Sequence, residues 1–247
     1  MVFDAGLAND GATWSGVHAE VAKVTEACVY DRAGMGASSA APRPHSNRQM
    51  SRELRELLVR TQHRGPYVLV GHSMGGVNVR LLASEHPEDV VGMVLVDAMS
   101  DEQPSHYWSL VPEAPMSEFR GGLAQLPEGI DFETLVAGLD EMHRSSTSLG
   151  DKPLVVLTRG REEAPPWASP ELTAKMFAAW QRTQEVLPRL STSSIHVVAT
   201  NSGHFIHEDN PRLVIAAVRD VVEASRHRTS LDGTDLRRLA DEKAPRR

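Results

Sequence analysis

The chain has one cysteine in 247 residues, only 5% aromatic residues, and no apolar run approaching the width of a bilayer. A single thiol excludes an internal disulfide framework. Cys28 lies in the apolar run Ala27-Cys28-Val29-Tyr30 and reads as a small core residue. A membrane-spanning helix needs ~20 predominantly apolar residues, so no membrane association is expected. Positive charge is not in excess either: 26 Lys and Arg against 33 Asp and Glu leave a net charge of −7, which argues against a nucleic-acid surface. No His-x-x-x-His or Cys-x-x-Cys pairing occurs, so no metal centre and no cofactor are expected. The N-terminus lacks a basic stretch leading into an apolar segment, so the expected location is cytoplasmic.

What is present is an alternation. Strand-like runs fall at Met1–Phe3, Ala27–Tyr30, Val68–Val70, Val90–Val96, Leu154–Leu157 and Ile195–Ala199. Helical patterns lie between them. One covers Asn47 to Gln62, with Leu54, Leu57 and Leu58 on one face and Ser51 as its expected N-cap. Another carries Val77, Leu81 and Leu82 inward and stops before His86-Pro87. The last begins at Asn210-Pro211, a cap followed by a proline at the first helical position. This order predicts an α/β fold with a mostly parallel sheet and helices on both faces. The length suits one domain, 1–225, with a polar, frayed tail at 226–247. The stretch Met99 to Asp151 is too long for a structureless loop. Its apolar residues, among them Trp108, Met116, Leu135 and Met142, predict a helical cap at about 99–151, over the strand ends where open α/β sheets bind ligands.

The most informative run is Tyr67-Val68-Leu69-Val70-Gly71-His72-Ser73-Met74-Gly75-Gly76. A strand runs into Gly-x-Ser-x-Gly and a helix follows at once, the setting of a nucleophile elbow. Serine is a weak nucleophile until a base takes its proton and a third group orients that base. His204, after the last strand and next to Gly203, is the favoured base; His207 competes, and His72 reads as a pocket wall. For the acid, Asp97 ends the strand after the elbow, and Glu162 or Glu163 follows the next strand. The backbone N–H of Met74 and that of Leu7, after the first strand, are the expected donors to a developing oxyanion.

The chain resembles α/β-hydrolase-fold proteins of the serine hydrolase type over roughly Met1 to Ser225. Four stretches carry the resemblance: Val2 to Leu7 with Trp14, Tyr30 to Gly36, the elbow through His86-Pro87, and Gly203-His204 through Asn210-Pro211. The resemblance implies Ser73 as nucleophile, His204 as base, and Leu7 and Met74 as oxyanion donors. Relatives usually place two further strands before the one at Val2-Phe3, so the sheet is expected to be shortened, with an uncovered edge near Val2. The implied function is hydrolysis of an ester or related acyl bond of a small molecule. A ligand-binding protein on this fold, without turnover, is the alternative from another class.

Overall fold

The computed structural model describes residues 1–145 and 148–242. Six strands form one sheet: β1 (Val2–Asp4), β2 (Cys28–Val29), β3 (Tyr67–His72), β4 (Val90–Val96), β5 (Leu154–Arg159) and β6 (Ser194–Ala199). Their order is β2-β1-β3-β4-β5-β6 and every neighbouring pair is parallel. In chain order the helices are α1 (Ser15–Val21), α2 (Asn47–Arg60), α3 (Gly75–Glu85), α4 (Gln103–His106), α5 (Glu113–Leu123) and α6 (Phe132–Ser145). Then come α7 (Pro170–Gln184), α8 (Ile206–Asp209), α9 (Pro211–His227) and α10 (Thr234–Leu239).

Side chains alternate across the strands, and both sets are buried. Phe3, Val70, Val94, Val155 and Leu157 pack against α1 and α9 through Val17, Val21, Val214 and Val218. Their neighbours Val2, Leu69, Met93, Leu95 and Val156 pack against α2 and α3 through Leu54, Leu58, Val79 and Leu82. Burial on both faces is why the strands read as continuous apolar runs. Register then brings the strand ends together: Asp4 pairs with Gly71, His72 with Val96, and Val96 with Leu157. The segments after β1, β3, β4, β5 and β6 therefore leave the sheet along one rim.

The insert after β4 folds as α4, a 3-10 turn at Trp108–Leu110, α5 and α6. Trp108, Met116, Leu123, Leu135, Leu139 and Met142 form one cluster with Met50 of α2 and with Met74, Val77 and Leu81 around the elbow. Each such buried side chain stabilises the docked insert by about 1.5–3 kcal/mol. Among the described residues no helix is long and apolar enough to cross a membrane.

Four expectations need correction. Ser46, not Ser51, caps α2: its backbone is extended and its hydroxyl accepts the Gln49 N–H, whereas Ser51 is buried within the helix. Leu57 turns outward, leaving the buried face of α2 to Leu54 and Leu58. The open sheet edge is β2 rather than the strand at Val2, since β1 is flanked by β2 and β3; Cys28 is accordingly only half-buried. The segment from 226 to 242 is ordered against the core. There α9 is capped by Arg228, the Asp220 carboxylate accepts the N–H groups of Asp232 and Gly233, and α10 buries Leu236 and Leu239. Two apolar anchors, with hydrogen bonds from Thr200, Asn201 and Asn210 to residues 239–241, dock a stretch that is polar by composition. Residues 243–247 of that stretch lie outside the described residues.

Candidate active site

The elbow is built by close packing around one strained residue. Ser73 has φ 51°, a left-handed conformation that costs an L-residue roughly 1–2 kcal/mol. A side chain at Gly75 would collide with the carbonyls of Asp4 and Ala5, so glycine lets β1 and the elbow approach. Ser73 is held on both sides of its peptide, N–H to Val96 O at 3.2 Å and C=O to Met99 N at 2.9 Å.

Asp97, the first residue after β4, also has positive φ, 41°. Its fully buried carboxylate accepts from His204 Nδ1 at 2.6 Å through Oδ2. Through Oδ1 it accepts from the Arg159 N–H at 3.0 Å and from Trp180 Nε1 at 2.8 Å. The Trp180 ring stands edge-on to His204, with centroids 5.7 Å apart. With Nδ1–H donated to Asp97, the imidazole keeps a lone pair on Nε2. No hydrogen bond joins the Ser73 hydroxyl to that ring in this structure; such contacts commonly tighten when substrate binds.

The rival residues are elsewhere. Glu163 Oε2 accepts the backbone N–H of His204 at 3.2 Å, so it touches the loop and not the ring, and Glu162 is exposed. His207 is bonded through Nε2 to Thr13 Oγ1 at 3.0 Å and packs on Trp14. Burial, reinforced by the neighbouring His204, pushes its pKa down to about 3, which keeps it neutral. His72 donates from Nε2 to the His204 carbonyl at 3.0 Å. Burial first, and the adjacent His204 and His207 next, hold it well below the ordinary imidazole range.

Leu7 and Met74, the two expected oxyanion donors, flank the serine from β1 and α3. Neither N–H has a protein acceptor among the described residues. The Leu7 loop is pinned from beneath by Arg32, which sequence reasoning passed over. Its Nη1 donates to Asp4 Oδ1 (2.6 Å) and Ala5 O (2.7 Å), and its Nη2 to Gly6 O (2.5 Å). Its Nε donates to Glu128 Oε1 at 2.7 Å. Burial opposes the charge on this guanidinium, but the carboxylates of Asp4 and Glu128 outweigh it and raise its pKa. Tyr30 completes the group by donating to Asp4 Oδ2 at 2.8 Å.

These residues surround a cavity of about 320 Å³ whose walls include Leu7, Ser73, Trp108, Phe119, Arg159 and His204. Trp108 and Phe119 come from the insert, so it forms part of the wall. Among the described residues, metal-ligand chemistry lies away from this cavity, in two groups: Glu26, Cys28 and His63 by the open edge, and His86, Glu88 and Asp89. In the first group His63 Nδ1 is already paired with Glu26.

The chain belongs to the α/β-hydrolase fold family, whose model matches residues 1–185. An uncharacterized protein of Bacillus subtilis, YqjL, is 31% identical over 90% of this chain and 82% of its own length. Among solved structures, a thermophilic esterase from Thermogutta terrifontis superposes with TM-score 0.62 at 20% identity, covering 91% of this chain and 89% of that one. A putative epoxide hydrolase from Pseudomonas aeruginosa gives TM-score 0.62 at 15% identity, covering 92% and 89%. At these identities the structural likeness concerns the fold alone.

Proposed function

We propose that this chain is a serine hydrolase that cleaves an ester or related acyl bond of a small molecule through an acyl-enzyme. The observation that carries the reading is the 2.6 Å bond from His204 Nδ1 to Asp97 Oδ2 beside a left-handed Ser73 on one cavity wall. Asp97 fixes the tautomer that leaves Nε2 free to accept the Ser73 proton. Ser73 Oγ then attacks the acyl carbon, and the oxyanion gathers against the N–H groups of Leu7 and Met74. The imidazolium returns its proton to the leaving alcohol. A water molecule, deprotonated by His204, attacks the acyl-enzyme and frees Ser73. These steps call on the chain's own side chains and backbone.

Serine at the elbow favours acyl chemistry over epoxide opening, which would proceed through an alkyl-enzyme ester and needs a carboxylate nucleophile at position 73. The test is labelling with a fluorophosphonate probe together with turnover of p-nitrophenyl acetate. Wild type should label and turn over, and Ser73→Ala should do neither. A folded wild type that does neither would leave the ligand-binding alternative standing.

A further inference from the structure

Three arginines are buried among the described residues, and their donors are used very differently. Arg32 donates to two carboxylates and to backbone carbonyls. Arg80 donates to the carbonyls of Gly76 and Met99. Arg159 is 8% exposed, yet its side chain makes no hydrogen bond among the described residues. The nearest carboxylate oxygens, Asp97 Oδ2 and Glu163 Oε2, stand 3.6 and 3.7 Å from Nη1, and Nε is buried without a partner. A guanidinium carries five N–H donors in a rigid fork, and buried charged donors left unmet are costly.

The same residue is otherwise firmly placed. It ends β5, its N–H is bonded to Asp97, and its C=O accepts from Gln181. Its guanidinium carbon lies 4.4 Å over the Trp180 ring, an attraction that favours the cation without using its N–H groups. Arg159 is also a wall of the cavity that holds Ser73 and His204. It is therefore a pre-positioned cation, ion-paired at 3.6 and 3.7 Å with Asp97 and Glu163 but without a side-chain hydrogen bond among the described residues, facing a space whose walls also include Met99, Gln103, Tyr107, Trp108 and Phe119.

We infer that Arg159 sets the specificity of this cavity, and that the substrate carries a free carboxylate which the guanidinium grips while the acyl carbon sits at Ser73. The inference deepens the hydrolase reading and rests on it for the reaction, though not for the binding. Asp97 cannot satisfy the fork, because its oxygens already serve His204, Trp180 and the Arg159 backbone. Glu163 lies near but is partly exposed and engaged with the His204 N–H. Both carboxylates would repel a phosphoryl dianion more strongly than a carboxylate, so a monoanion fits better. The apolar part of the wall, Met99, Trp108 and Phe119, accepts a short carbon skeleton, and a volume of about 320 Å³ is at the small end for ligand sites. A half-ester of a short dicarboxylic acid has this shape.

The test compares 4-nitrophenyl hemiglutarate with its methyl ester, which share leaving group and chain length and differ in charge. Wild type should favour the acid about 10- to 100-fold in kcat/KM, mainly through KM, as expected for charge-assisted hydrogen bonds. Arg159→Met should bring the ratio close to one, and Arg159→Lys should restore part of it. Calorimetric titration with glutarate and with neutral glutaramide reads the binding separately from turnover, with circular dichroism to check the fold of each variant. Equal use of both esters by wild type, or an equal loss on both in Arg159→Met, overturns the carboxylate assignment and spares the hydrolase reading. If neither these esters nor p-nitrophenyl acetate is cleaved but wild type binds glutarate over glutaramide and Arg159→Met does not, the carboxylate site stands and the hydrolase reading falls. Absence of both turnover and selective binding overturns both.

Discussion

Arg32 and Glu128, 96 residues apart, form a buried ion pair that ties the insert to the loop carrying Leu7. The Nε to Oε1 distance is 2.7 Å, and both side chains are at most 3% exposed. The other oxygen of Glu128 accepts the Ala8 N–H at 2.7 Å, next to the proposed oxyanion donor. One glutamate of the insert therefore touches both the arginine beneath the loop and the loop itself. The position of the Leu7 N–H depends on the insert being docked.

Breaking this pair from one side should be expensive, because it strands a buried cation with Asp4 as its remaining carboxylate. Glu128→Ala is expected to lower the unfolding free energy by about 3–5 kcal/mol, measured by urea denaturation. In the fraction that remains folded, kcat should fall more than KM rises, since the displaced donor acts on the transition state. A stability loss below 1 kcal/mol would show that the pair is not what pins the loop.

Asp97→Asn isolates the proposed orienting role. Asn tolerates the left-handed backbone at this position, so the fold should persist, while an amide N–H turned toward Nδ1 would stabilise the wrong imidazole tautomer. Turnover of p-nitrophenyl acetate should drop by about 10⁴-fold. Glu163→Gln should change it only a few-fold, because Glu163 meets the backbone of His204 and not its ring. The reverse ranking would move the acid to the segment after β5.

Strain at the elbow predicts a gain of stability where activity is lost. Ser73→Ala and Ser73→Gly both delete the hydroxyl, but only glycine accepts φ 51° without a clash. After allowing for the greater freedom of glycine in the unfolded chain, the Gly variant should be about 1 kcal/mol more stable than the Ala variant. Chemical denaturation of the pair reads this directly. An Ala variant about 0.5–1 kcal/mol more stable than the Gly variant would mean that the elbow carries no backbone strain.

The features legible in the sequence were the local ones. Strands buried on both faces announce themselves as apolar runs, and the elbow is contained within ten residues. The proposed acid is ambiguous in the sequence because Asp97 and Glu162 or Glu163 all follow strands; they differ only through the β4–β5 register and the path of the His204 loop, which no local pattern encodes. Arg32, Glu128, Arg159 and Trp180 were illegible for the same reason. Each acts through partners far along the chain, such as the Trp180 bond to Asp97 across 83 residues. Composition misled at the C-terminus, where Leu236 and Leu239 outweigh their polar neighbours. At α2 two serines lay within five residues of each other, and the side that faces the core decided which one became the cap.

The buried histidines give the fold a predictable weakness toward acid. Burial, with His204 beside it, lowers the His207 pKa to about 3 from an ordinary 6.5, and His72 is shifted in the same direction. Below about pH 6.5 the unfolded chain takes up protons that the native chain refuses, so stability must fall as pH drops toward the native value. At about 1.4 kcal/mol per unit of difference, His207 alone represents several kcal/mol over the whole window. Between about pH 6.5 and pH 5 ordinary carboxylates stay ionised, and buried Asp4, whose pKa burial raises, works in the opposite sense, so a fall of stability with acid there belongs to histidine. Urea unfolding across that interval should show stability declining with acid in wild type and declining less in His207→Gln, whose amide can still reach Thr13 but cannot take a proton. An identical slope in the variant would assign the acid sensitivity to His72 or to another group.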